Sequence, residues 1–151
     1  MRNDLPSLSS GRAAAQASHA SNAFWHMYGS TKEAKEWAAC TSQGFGTTIV
    51  LGANLETIKT KLGESSRQWF MTSVVTDPDY AISISSEVLP YIDKNVPIIS
   101  EVGVTSGVPR LELSQTDPTK YILHRQEDTC AFIFGDKEAL APLLSDLPLY
   151  S

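Results

Sequence analysis

Hydrophobic and polar positions along this chain recur with two periods, and the switches between them mark its elements. Over residues 12–28 the spacing is helical. Ala13, Ala17 and Ala20 make one stripe, and Arg12, Gln16 and His19, at i, i+4 and i+7, make its neighbour. A helix is predicted there, led in by the polar run 7–11 with Ser10 as N-cap and stopped by Gly29. A second helix is predicted over 31–41, with Ala34, Trp37 and Ala38 on its apolar face, ending before Gly44. Thr47-Thr48-Ile49-Val50-Leu51 is short and β-branched, the signature of a buried strand. Asn54 then caps a helix whose Leu55, Ile58 and Leu62 share a face. Residues 69–75 form the next predicted strand, which ends in Thr76-Asp77-Pro78-Asp79. A last strand spans 129–134 up to Gly135, and Asp136 caps a helix that turns Leu140, Leu143 and Leu144 inward. Between about 83 and 127 the pattern weakens around Pro90, Pro97, Pro109 and Pro118. The apolar runs at 97–99 and 110–113 read there as edge strands or as an ordered excursion.

Helices alternating with short buried strands predict an α/β fold: one domain over 1–151, a four-stranded mixed sheet flanked by helices on both faces, and an atypical insertion at about 83–126. A central strand should precede the first helix, yet only Met1-Arg2-Asn3-Asp4-Leu5 stands there, so the first strand is expected to be truncated. The favoured reading is that Met1 is an internal start. The other is a sheet that lacks most of one strand.

Composition narrows the class without naming a function. The chain has 151 residues, 42% hydrophobic and 19% charged, as in ordinary globular domains. Arg2 and Asp4 stand where a signal peptide would need its apolar stretch, and no apolar run is long enough to span a membrane; the expected location is the cytoplasm. Cys40 and Cys130 are accordingly expected to be reduced, buried thiols. The net charge of −5 lies wholly in residues 83–151, while residues 1–82 carry seven Lys/Arg against seven Asp/Glu. A polyanion is therefore not strongly repelled by the first half, nor strongly drawn to it. His19, His26 and His124 have no thiol or carboxylate spacing that makes a zinc site, and no Gly-x-Ser-x-Gly elbow is present. No metal or cofactor is expected, and Trp25 and Trp37 are expected to be core residues.

The helix stripe of a cation, an amide and an imidazole, raised on a helix that docks through alanines, suggests a site. The run Gly11-Arg12-Ala13-Ala14-Ala15-Gln16-Ala17-Ser18-His19-Ala20, preceded by Arg2-Asn3-Asp4-Leu5, resembles the type 2 peptidyl-tRNA hydrolases, the archaeal and eukaryotic type. Residues 72–77 are similar to that family's strand running into its active-site aspartate, and 129–135 to its final strand. The resemblance covers about residues 1–82 and 127–148. It departs from the family pattern at Arg12, where the family has lysine, and at Ala81, where a family threonine falls and Ser83 is the nearest hydroxyl. It implies hydrolysis of the ester between a peptide, or an N-blocked amino acid, and the 3′ end of tRNA. The site residues it implies are Arg12, Gln16, His19 and Asp77. Asp77 would orient or deprotonate water, and Arg12 would bind phosphate or developing negative charge while staying protonated. Gln16 would donate to the ester carbonyl while its own oxygen holds the water, and His19 would orient Gln16 or touch the substrate. The expected partner is peptidyl-tRNA, not DNA or a membrane, bound by a monomer or homodimer. The alternative is a catalytically inactive module on the same fold that binds tRNA or a protein.

Overall fold

A computed structural model describes residues 1–6, 8–43, 46–99 and 107–151. Ser7 of the predicted lead-in, Gly44 beyond the second helix, and 100–106 within the expected insertion lie outside the described residues. The chain divides into two compact units, Met1–Val75 with Thr129–Ser151, and Thr76–Asp128.

In the first unit the helices start where side-chain oxygens can accept otherwise unpaired backbone N–H groups. Helix α1 (Ser10–Tyr28) begins two residues before the expected start at 12, and Ser9 rather than Ser10 is the cap, accepting from Arg12 N at 3.4 Å. It ends at Gly29, whose N–H returns to the Trp25 carbonyl; a Cβ on Gly29 would lie 2.6 Å from that same oxygen. Helix α2 (Lys32–Ala38) is capped by Thr31 and stops short of the predicted end at 41, the chain tightening into a 3₁₀ turn over Thr41–Gln43. Asn54 starts α3 (Leu55–Arg67) by accepting from Thr57 N at 2.8 Å. Asp136 starts α4 (Lys137–Leu144) by accepting from Glu138 N and Ala139 N.

The alanine stripe of α1 does what its small side chains permit. Ala13 is buried with Met1 and Cys130, and Ala17 and Ala20 pack against them together with Leu8, Val50, Val75 and Tyr150. One end of α1 is held by aromatic contacts around the buried Phe24, whose ring lies 4.5 Å from that of Phe134, 5.7 Å from Phe132 and 5.8 Å from Trp37. These edge and tilted contacts suit aromatic quadrupoles.

The long strands are β1 (Met71–Ser85) and β4 (Lys120–Phe134), and both run through the two units. Within the second unit β1 and β4 are antiparallel: Ser86 N, just past β1, donates to the Thr119 carbonyl, and Thr76 Oγ1 donates to Asp128. Strand β3 (Arg110–Leu113) pairs antiparallel with β4, from Arg110 opposite His124 to Leu113 opposite Tyr121. Strand β2, only Ile98–Ile99, adds to β3 in parallel, so the order is β1-β4-β3-β2.

This architecture corrects the expected four-stranded mixed sheet with helices on both faces. The sheet is a three-stranded antiparallel one, β1-β4-β3, with a two-residue addition at its edge, and the α-helices among the described residues all belong to the first unit. Its members are not the expected ones either. Thr47–Leu51 is not a strand; Ile49 is 56% exposed, and only Leu51 forms a bridge, antiparallel to Leu149. Where a truncated first strand was expected there is no strand, only one isolated parallel bridge, Arg2 to Ala53. Conversely, β1 does not end at Asp77. Tyr80 and Ile82 are buried and alternate with less buried neighbours, so period-two burial carries the strand through Pro78 to Ser85. Proline is tolerated there because β1 is the outermost strand in the sheet order.

Candidate functional site

The residue that organises the first unit's candidate site is Gln16. It is only 5% exposed, and its side-chain Oε1 accepts from Thr129 Oγ1 at 2.6 Å. Thr129 is fully buried near the start of the first unit's part of β4, with its hydroxyl also 3.3 Å from the Val75 carbonyl. The next residue closes the contact from the other side: Cys130 Sγ donates to the Gln16 backbone carbonyl at 3.4 Å. Burial pushes the Cys130 thiol above its ordinary pKa, opposed by the hydrogen bond from Thr129, so this sulfur is a packing group and a weak donor rather than a nucleophile. Both α1 and β4 thus fix the Gln16 amide in place.

Helix geometry explains why Gln16 is inside while its stripe partners are not. At about 100° per residue, Gln16 is turned about 40° from Arg12 toward the alanines, whereas His19 is turned about 20° the other way. Arg12 and His19 are exposed, and Gln16 lies at the border of the docked face. The three side chains occupy one helix but two environments.

Asp77 belongs to the second unit. It is half-buried within β1 rather than at a strand end, and its Oδ1 accepts from Asp79 N at 2.9 Å across Pro78. Arg12, Gln16 and His19 are therefore brought together by α1, and Asp77 is placed on a different unit.

The second unit holds a charged cluster that the sequence reading passed over. The Arg110 guanidinium is almost fully buried and forks onto Asp79, with Nη2 donating to Oδ2 at 2.9 Å and Nη1 donating to Oδ1, while its Nε donates to Glu112 at 3.1 Å. His124, opposite Arg110 on β4, places Nδ1 3.6 Å from Asp79 Oδ1 and Nε2 3.4 Å from Glu112 Oε2. The hydrogen bond from Arg110 is the main reason the Asp79 carboxyl is held below the usual range; partial burial opposes it. The guanidinium is correspondingly made harder to deprotonate, chiefly by Asp79. The available signal was the alternation Arg110-Leu111-Glu112-Leu113, which places both charges on one face of a strand. The pairing of Gln16 with Thr129 had no such signal.

With the carboxylates turned to arginine, no group of three His, Cys, Asp or Glu among the described residues could hold a metal ion. No helix among those residues is long and apolar enough to cross a membrane. No protein-family model matches the chain, and no curated protein matches it.

Proposed function

We propose that this protein is a cytoplasmic hydrolase of peptidyl-tRNA, cleaving the ester between a peptide or N-blocked amino acid and the 3′ end of tRNA. The reading is carried by the Gly11–Ala20 run, whose Gln16 amide is fixed from inside by Thr129 while Arg12 and His19 on the same helix are exposed. An amide held by a buried hydroxyl keeps its orientation without reorganising, which is what a donor to a developing oxyanion requires. Since Oε1 serves Thr129, the role proposed for Gln16 is donation to the ester carbonyl through its amide nitrogen. Holding the water passes to other groups.

In the proposed reaction a water loses a proton to a carboxylate, the role that the family resemblance gives to Asp77, as the water oxygen forms a bond to the ester carbon. The bond to the tRNA 3′ oxygen then breaks, and that oxygen leaves with a proton. The products are a free carboxylic acid and free tRNA. The ester is activated enough that this needs positioning and charge stabilisation rather than a metal. Arg12 stays protonated and serves as a phosphate or oxyanion partner with a forked geometry that lysine lacks.

Release of N-acetyl-amino acid from an N-acetylated aminoacyl-tRNA tests this reading. Turnover is expected from the wild type. Asp77→Ala should reduce it by about 100-fold or more, the usual contribution of a general base. Arg12→Ala should raise KM and flatten the dependence on salt, since phosphate contacts release counterions. Absence of turnover from folded protein, or an Asp77→Ala variant at the wild-type rate, would overturn the proposal. Retained tRNA binding without turnover would leave the inactive binding module.

A further inference from the structure

Helix α3 ends on two backbone bonds that fix where the next side chains go. Trp69 N donates to the Ser66 carbonyl at 3.1 Å, and Phe70 N donates to the Ser65 carbonyl at 3.2 Å. That pair needs a left-handed residue just past the helix, a position usually filled by glycine because a Cβ is unfavourable there. Here the residue is Trp69, at φ +64°, the only non-glycine residue with positive φ among the described residues. The two aromatic side chains then part. Phe70 packs over Gly135, where an added Cβ would lie 2.4 Å from the ring, and Trp69 is left 94% exposed.

An indole in this position strains the backbone and adds almost no burial, so its use lies outside the chain. What it can take up follows from its surroundings. Ser66, Arg67 and Gln68, which lead to it, are all exposed and polar. A protein-binding hot spot sits in a well-packed, desolvated pocket, and a membrane anchor needs apolar companions. A lone ring among polar residues offers neither. It does offer a flat π face for a base, which single-stranded nucleic acids present together with a phosphate for a cation. Arg67 is the only charged residue between 65 and 75, and its guanidinium lies back over Gly63, one turn earlier in α3. The cation is therefore offset from the ring, as a phosphate is from its own base.

We propose that Trp69 is a stacking platform for an unpaired base of single-stranded RNA, with Arg67 taking the adjoining phosphate. The proposal rests on the reading of this chain as a binder of tRNA, whose 3′ end is single-stranded. Val75, whose carbonyl meets the Thr129 hydroxyl that holds Gln16, follows Trp69 after roughly 20 Å of extended chain. The base on Trp69 is accordingly not the one whose ribose carries the ester, but one further along the strand.

Binding of a labelled single-stranded oligoribonucleotide and of its blunt duplex, followed by fluorescence anisotropy, tests the proposal. Trp69→Gly should weaken binding of the single strand by at least about fivefold, whereas Trp69→Phe keeps most of it, since a base stacks on any aromatic face. Duplex affinity should not change, because its bases are already stacked. Arg67→Gln should lower the salt slope by about one. Glycine suits the backbone at this position, so Trp69→Gly should melt no lower than the wild type, and its lost binding is then not lost folding. Equal single-strand affinity in wild type and Trp69→Gly, equal losses on strand and duplex, or a wild-type salt slope in Arg67→Gln would overturn the proposal. So would a wild-type dimer that Trp69→Gly dissociates in sedimentation, which would give the ring to a second copy of the chain. Turnover of N-acetylated aminoacyl-tRNA separates the two readings. Trp69-dependent RNA binding without turnover overturns the hydrolase alone; turnover whose KM is unmoved by Trp69→Gly overturns the platform alone.

Discussion

A buried hydroxyl, that of Thr129, holds the side-chain oxygen of Gln16. Thr129 donates at 2.6 Å in a fully buried position, so removing it strands an acceptor where water has no access. Thr129→Val should destabilise the protein by about 1–3 kcal/mol, the cost of an unsatisfied buried polar group. Gln16→Leu combined with Thr129→Val should recover much of that, because both partners then become apolar. Urea unfolding of the two variants measures the difference. If the hydroxyl instead matters little, the single variant will unfold at the wild-type midpoint. At Asp79 the sign of the pH dependence follows from Arg110. The folded carboxyl titrates below its unfolded value of about 3.9, so its contribution is fully present above that value and is lost as pH falls through the lower, folded one. Asp79→Asn should thus be less stable than the wild type at pH 7, and the two should converge below pH 4. A gap that stayed constant from pH 7 to pH 2 would show that the pairing charge is not what Asp79 contributes.

Among elements, the helices and the strands obey different kinds of information. The starts of α3 and α4 were readable because a cap and the N–H groups it satisfies lie within four residues of one another. Ser9 displaced Ser10 by one position, but Asn54 and Asp136 act as expected. Asn54→Ala should cost about 1 kcal/mol. Asp136→Ala should cost at least as much, since Asp136 accepts from two backbone donors. Thermal melts of the two variants check both values and their order. Strands were read less well. The β-branched run 47–51 has strand propensity, but a strand exists only through a partner, and of this run only Leu51 forms a bridge. Tyr80, Ile82 and Ile84 alternate as clearly as any strand in the chain, yet Asp77-Pro78 looked like a stop. That dipeptide ends a strand only where the ladder needs an N–H at the proline's position, and on the free side of an outermost strand it needs none.

Across the whole molecule, the chain's two thiols report on burial. Both were expected to be buried; Cys40 is instead partly exposed beside Ser42, whereas Cys130 is buried, and desolvation raises its pKa. A chromogenic disulfide reagent should titrate one thiol rapidly in native protein and two in denaturant; two fast thiols in native protein would contradict the packing of β4 against α1. The acidic excess of residues 83–151 bears on the proposed substrate at the same scale. A chain with no basic surplus must rely on a few placed cations such as Arg12, so its affinity for tRNA should fall with salt only as steeply as those contacts dictate.

Sequence alone determined what is local: the caps Asn54 and Asp136, and the docking of α1 through Ala13, Ala17 and Ala20. In each case the interacting groups, or the stripe they form, lie within a few turns of one helix. Tertiary structure decided what joins distant residues. Gln16 meets Thr129 across 113 positions, and Arg110 meets Asp79 across 31. These partnerships depend on strand register and helix rotation, where a shift of one residue exchanges the buried face for the exposed one. No pattern within a single segment contains that choice, because the backbone groups of a strand are satisfied only by another part of the chain.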